Sequence, residues 1–290
     1  MDVSRRNFCG ALLAAAAPRL ESRFAGVTIG VHSYSFRDRP LDQAIAAMVK
    51  LGIGECDLGC IHMELPRTRP PQPGYAEKLR QWRLTAPLDE FEKAGAKFRA
   101  AGVHIANYTY NFIQGPDAEI ERGFEMAKAL GAKTLAMSTR VSTAPQIYAA
   151  AKRHKMRVGL HNQSRIDPDQ LATPGDFDAA LRGRGDYLGI TLDAGHFFSA
   201  GFDPVEFTRL RHEQILSLHL KDRKKNQGAT VPFGEGDTPV TELLQLIRDK
   251  HYGIAGFIEH EYEAKDPVEE VRKGVEYCKR ALLGATRVQG

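Results

Sequence analysis

The chain has 290 residues, 42% of them hydrophobic and 26% charged, with a formal net charge of +4 and a pI of about 8.8. This is a soluble globular composition with enough apolar residues for one sizeable core. The basic excess is small and scattered, and its densest run, Lys221–Lys225, is broken by Asp222, which argues against nucleic acid as a partner.

The N-terminus reads as an address. Ser4-Arg5-Arg6-Asn7-Phe8 resembles the twin-arginine export signature, Cys9–Ala17 is a modest apolar stretch, and Ala15–Ala17 offers a small-residue cleavage site. The stretch is too short to span a bilayer, so no stable membrane insertion is expected. Residues 1–23 are therefore assigned to an export segment, residues 24–290 to one structured domain, and the mature protein to the periplasm. Of the four cysteines, Cys9 falls in the export segment. Cys56 and Cys60 are close, but a lone pair is no zinc framework. They read as small buried hydrophobes, with a Cys56–Cys60 disulfide as the alternative in an exported protein.

Val27–Phe36 is the first β-rich run and ends in His32, Ser33 and Tyr34. Leu41–Leu51 has helical spacing and stops at Gly52. Ile53–Leu58 is a short second strand with Asp57 near its end, placed to reach a barrel mouth. Gly59–Ala86 is long, polar and rich in Pro and Arg, and reads as a functional loop: a lid, or the contact of a homo-oligomer. Pro87–Ala101 is a helix, Val103–Tyr110 a strand carrying Asn107, Asp117–Leu130 a helix, Lys133–Ser138 a strand and Ala144–His154 a helix. Gly52, Gly102 and Gly131 close successive helices.

The second half contains four short apolar runs that each end in polar groups: Val158–Gln163, Gly189–His196, Ser217–Asp222 and Gly256–Glu261. Helical stretches near Pro174–Arg182, Pro204–His212, Val240–Lys250 and Pro267–Leu283 separate and follow them. Eight strands alternating with eight helices, with polar residues at the carboxyl ends of the strands, define an α/β chain folded as a (β/α)8 TIM barrel. His161, Asp193, His219 and Glu259 occupy equivalent places, one per strand. Two imidazoles and two carboxylates from separate rigid elements suit one divalent metal, manganese, zinc, cobalt or iron, better than calcium. Such an ion polarises a carbonyl, and a nearby carboxylate can then abstract the adjacent proton. Lys221 shares the phase of His219, so it is a candidate to stabilise an enolate, with an ion pair to a neighbouring acid as the equal alternative. His196 is a further ligand or a substrate contact. Glu261 is in phase with Glu259 and suits a supporting role. The glycines of Phe233–Gly236 either let backbone approach a ligand or form a plain turn.

These motifs resemble the xylose isomerase-like barrel superfamily, in the branch of sugar phosphate isomerases and epimerases. The likeness lies in Asp57-Leu58, the D-x-G-H of Asp193–His196, the H-x-K-D of His219–Asp222, the G-x-G of Gly234–Gly236, and Glu259, and it spans nearly all of the chain after the export segment. The resemblance implies a carbohydrate substrate, a single divalent metal on His161, Asp193, His219 and Glu259, catalysis by Glu259, His161 and Lys221, and substrate contacts from His32, Asp57, His196 and Asn107. Epimerases of the family carry a glutamate at the end of strand five, where this chain has His161 followed by Asn162. Strand alternation lets only one of these two face the barrel interior, and the resemblance selects His161. The metal survives that change, but proton exchange between two carboxylates needs another acid or base: His161, His196, Lys221 or Asp57. The sequence therefore supports a sugar or keto-sugar isomerase/epimerase. The alternatives are a lyase that eliminates a β-substituent from a 3-keto-glycoside or inosose, and a sugar-binding barrel without catalysis.

Overall fold

A computed structural model describes residues 18–66 and 71–284. Of the expected export segment, residues 1–23, the first 17 lie outside the described residues. Eight parallel strands form the barrel: β1 (Val27–His32), β2 (Glu55–Gly59), β3 (His104–Thr109), β4 (Thr134–Ser138), β5 (Val158–His161), β6 (Leu188–Asp193), β7 (Ile215–Leu220) and β8 (Ala255–Ile258). Each pairs with its neighbours in chain order, and β8 closes the ring onto β1. At the amino end of the barrel, Arg23–Phe24 pairs antiparallel with the start of β1, and Leu20 N–H donates to Gly102 O.

Among the described residues, ten α-helices surround the barrel: α1 (Leu41–Lys50), α2 (Tyr75–Thr85), α3 (Leu88–Ala100), α4 (Asp117–Leu130), α5 (Ala144–His154), α6 (Pro174–Leu181), α7 (Ala194–Ser199), α8 (Pro204–Arg211), α9 (Val240–Lys250) and α10 (Pro267–Leu283). Eight were expected. The two additions, α2 and α7, both follow barrel strands on the carboxyl side.

The strands are buried on both faces, as parallel sheets covered by helices require. One core of residues such as Met48, Phe91, Phe98, Leu135, Ile147, Leu192, Leu244 and Val271 fills the space between strands and helices. Gly102 shows why glycine closes α3: its φ is +73°, and a Cβ there would lie 2.5 Å from Pro18 O. α5 and α9 end on non-glycine residues in the same conformation, Lys155 and His251, which the sequence pattern does not flag.

The segment after β2 is a correction to the sequence reading. It is partly a helix, α2, tied down by a buried arginine. Arg83 is 4% exposed, with Nε 2.8 Å from Glu64 Oε1 and Nη1 2.8 Å from Glu119 Oε1 on α4. Its guanidinium also covers the Tyr110 ring at 4.2 Å. Cys56, Cys60 and Cys278 are free thiols. Among the described residues, no helix is long and apolar enough to cross a membrane.

Candidate metal centre at the carboxyl ends of the strands

β5, β6 and β7 end on or beside His161, Asp193 and His219, and Glu259 follows directly on β8. The sheet register sets Asp193 opposite His219, and His219 opposite Phe257 of β8. One ligand atom from each of His161, Asp193, His219 and Glu259 fits within a span of 4.8 Å, and all four residues are buried. His161 Nε2 lies 3.4 Å from Asp193 Oδ2, and His219 Nδ1 lies 3.0 Å from Glu259 Oε2. Asp193 Oδ2, His219 Nδ1 and Glu259 Oε2 are buried without a directed hydrogen bond, although the Lys221 ammonium stands 2.8 and 3.0 Å from the two oxygens. Buried polar atoms normally find partners. Three such atoms converging beside a fourth lone pair fit a divalent cation, and two imidazoles with two carboxylates suit a transition metal.

Three of the ligands are oriented from behind. Asp193 divides its carboxylate: Oδ1 accepts from His196 N at 2.7 Å and so caps α7, while Oδ2 faces the cluster. His219 Nε2 lies 3.1 Å from Asp57 Oδ2. With its proton on Nε2, the ring presents the Nδ1 lone pair to the cluster, the arrangement that orients metal-bound histidines. His161 Nδ1 lies 3.2 Å from Ser138 Oγ, which also accepts from Gln163 Nε2 at 3.1 Å.

The choice between His161 and Asn162 is resolved by position. His161 joins the cluster. Asn162 turns to the backbone of Asp193, donating to its carbonyl at 3.1 Å and accepting from its N–H at 2.9 Å.

Three of the expected roles change. Asp57 is fully enclosed and accepts from Thr109 Oγ1 at 2.6 Å, Asn107 Nδ2 at 3.0 Å and His219. Asn107 in turn accepts from Thr134 Oγ1 at 2.6 Å. Both were read as substrate contacts, but their polar atoms are spent on holding His219, so they are supports. Lys221, read as catalytic, is also fully enclosed. Its Nζ lies 2.8 Å from Asp193 Oδ2, 3.0 Å from Glu259 Oε2 and 2.9 Å from Glu261 Oε2. The ion-pair alternative therefore describes it better than contact with substrate.

His32 and His196 remain at the mouth. His32 is 5% exposed, with Nδ1 3.3 Å from Glu259 Oε1 and neither nitrogen hydrogen-bonded. His196 Nδ1 accepts from Arg223 Nη1 at 2.8 Å, which leaves its proton on Nε2. The glycines of the Phe233–Gly236 loop serve Asp222 instead of a ligand. Gly234 N and Gly236 N donate to Asp222 Oδ2 at 2.8 and 3.0 Å, and a Cβ on Gly236 would lie 1.9 Å from Asp222 Oδ1.

Burial and charge set the protonation states. Burial pushes the Asp57 carboxyl up, but the hydrogen bond from His219 and the nearby imidazoles outweigh it and hold it at about 2. Burial lowers His219, yet Glu259 and Asp57 overcome this and raise it to about 10 in the metal-free protein. Burial dominates at His196 and brings it to about 4, so this ring is neutral. Burial also lowers His161. Arg223 and Thr109 were missed by the sequence reading. Thr109 shares the inward phase of Asn107 and was accessible to it; Arg223 acts through a loop geometry that no spacing reveals.

A parallel eight-stranded barrel with a buried His/Asp/Glu cluster at the carboxyl ends of its strands defines an α/β barrel protein with a candidate metal site. Residues 45–281 match the family described as Xylose isomerase-like TIM barrel, and the chain belongs to it. Among solved structures, the chain is similar to 3-keto-D-glucoside 4-epimerase from E. coli in its apo form. That match has 13% identity and a TM-score of 0.65, and covers 87% of this chain and 99% of that one. It is also similar to the probable 3-DHS dehydratase involved in petrobactin synthesis from Bacillus anthracis, at 15% identity and TM-score 0.62, covering 86% and 97%. A sugar phosphate isomerase/epimerase from Parabacteroides distasonis matches at 15% identity and TM-score 0.62, covering 92% and 99%. At these identities the likeness is one of fold. No curated protein matches the chain in sequence.

Proposed function

We propose that the protein is a divalent-metal-dependent isomerase or epimerase of a sugar or keto-sugar, acting by proton abstraction beside a carbonyl through an enediolate. The observation that carries this reading is the convergence of Asp193 Oδ2, His219 Nδ1 and Glu259 Oε2, buried and without hydrogen bonds, beside His161 Nε2. These four residues would hold one manganese, zinc, cobalt or iron ion, whose chemistry when bound is Lewis-acid polarisation of a carbonyl. Glu259 is the base, and its Oε1 faces His32 Nδ1 at 3.3 Å, so His32 is placed to exchange the proton with it. His196, neutral and fixed by Arg223, presents Nε2–H as a hydrogen-bond donor for the developing oxyanion. Returning the proton to the neighbouring carbon isomerises the sugar; returning it to the opposite face of the same carbon epimerises it.

A second reading is favoured by one residue. β5 ends in His161, so the cluster has two carboxylates, and of these Asp193 is committed to capping α7 while Glu259 turns Oε1 to His32. One base is enough for elimination, in which a proton leaves beside the ketone and a β-substituent departs. The similar structures include an epimerase and a probable dehydratase. The Ser4–Phe8 signature supports export, and an exported enzyme would meet free or oxidised sugars and glycosides as substrates.

Elemental analysis of the purified protein and of Glu259→Ala tests both readings. About one equivalent of metal is expected in the parent and loss of it in the variant. Incubation with keto-sugars and glycosides then separates the two: conserved substrate mass supports the isomerase, and release of an aglycone or water supports the lyase. No metal in the parent, even after supplementation, overturns both and leaves a sugar-binding barrel.

A further inference from the structure

The oxygens that converge on the candidate metal site are shared with an internal cation. Asp193 Oδ2 and Glu259 Oε2 each contribute to the four-residue cluster, and each also lies within 3.0 Å of Lys221 Nζ. Lys221 is 0% exposed, so solvent does not screen its charge. Its seat is built into the chain. A Cβ on Gly195 would lie 2.4 Å from Lys221 Cγ and 2.8 Å from Lys221 O, so the D-x-G-H turn admits this lysine only with glycine at its third place. A third carboxylate oxygen, Glu261 Oε2, stands 2.9 Å from Nζ, and the Glu261 side chain is the most exposed of the three acids at 25%.

We propose that Lys221 sets the metal affinity of the site by competing with the divalent ion for Asp193 and Glu259, with Glu261 as the partner that retains the ammonium when those two oxygens serve the metal. The inference rests on the metal reading above. An ammonium and a divalent ion that draw on the same two oxygens in a buried site repel each other, and low effective dielectric strengthens that repulsion. Three carboxylates with one internal cation hold a metal less tightly than three carboxylates alone. The consequence is a site whose metal exchanges, in place of one that traps it.

The test is competition of the full chain against a fluorescent chelator for Zn2+ alone and Mn2+ alone, using the parent, Lys221→Met and Glu261→Gln. Lys221→Met is expected to lower Kd at least about tenfold for both ions. It is also expected to show a larger rise in Tm on adding metal than the parent, because its three acids lack the Lys221 ammonium until metal arrives. Glu261→Gln removes the alternative partner and is expected to raise Kd several-fold. Equal or weaker metal binding by a folded Lys221→Met overturns the proposal. If that variant does not fold without metal, unchanged or tighter binding by Glu261→Gln overturns it. Absence of metal binding in the parent and both variants overturns the metal reading with it, whereas normal binding in the parent with unchanged variants overturns the role of Lys221 alone.

Discussion

His219 Nε2 lies 3.1 Å from Asp57 Oδ2, and this contact decides which face of the imidazole is free. With one proton held toward Asp57, the proton that metal displaces is the one on Nδ1, whose lone pair then faces Glu259 and the cluster. Asp57→Asn retains an acceptor for His219 and is close in shape, but it removes the charge that raises the basicity of the ring. Metal affinity is expected to fall about 10- to 100-fold with the fold retained. Chelator competition measures it, and unchanged affinity would remove Asp57 from this role.

Stability of the metal-free protein should peak close to pH 6.5, the ordinary histidine value. His219 is raised from 6.5 to about 10, so its contribution is complete below 6.5 and is lost as pH rises toward 10. His196 is lowered from 6.5 to about 4, so its contribution is complete above 6.5 and is lost as pH falls through 4. Asp57, depressed from 3.8 to about 2, adds a further loss below 3.8. Thermal melts in chelator across this range trace the curve. Metal binding requires His219 to give up its proton, so affinity should rise with pH up to about 10, and saturating metal should flatten the alkaline limb. A metal-free protein equally stable at pH 6.5 and at 10 would refute the assignment for His219.

The barrel was legible in the sequence because each parallel strand is a short apolar run and each helix has its own period, and the two alternate eight times. The cluster was legible for a related reason: strand ends are fixed by the register, so a polar residue at the end of each run must face the same rim. What lay beyond the sequence depends on which partner a side chain finds. Asp57 was placed at the mouth by its position near a strand end, but Asn107, Thr109 and His219 approach it from other strands and enclose it. Lys221 has the phase of a substrate contact, yet its length lets the ammonium reach Asp193 at the end of β6 and both Glu259 and Glu261 beyond β8. α2 was hidden because its stabilising contacts come from Glu64 and Glu119, outside the helix, while its own composition is polar.

Arg83 should be the anchor of that segment. It is held between Glu64 and Glu119 and lies over Tyr110, and all three acid–base partners are nearly enclosed. Arg83→Met preserves much of the volume but leaves Glu64 without its cation, while Glu119 keeps Arg80 at 3.3 Å. Breaking one side of a buried pair costs about 3–5 kcal/mol, so a loss of that size is expected in denaturant unfolding. Adding Glu64→Gln should recover part of it, since the uncompensated charge is then gone. Equal stability of the single variant and the parent would show that the segment is held by other contacts.

The neighbouring positions 161 and 162 should separate metal binding from stability. His161 offers Nε2 to the cluster, whereas Asn162 closes two hydrogen bonds on the backbone of Asp193, at 2.9 and 3.1 Å. Asn162→Ala leaves the buried Asp193 N–H without its acceptor, while the Asp193 carbonyl keeps its place as the cap of α7. A stability loss of about 1–3 kcal/mol is therefore expected, with weaker metal binding following because the Asp193 ligand is no longer held. His161→Ala removes a ligand but no backbone partner, so it should weaken metal binding with a smaller loss of stability. Unfolding curves and metal titrations of both variants give the comparison. The reverse ranking would mean that Asn162, and not His161, faces the metal, and the register of β5 in the barrel would have to shift by one residue to allow it.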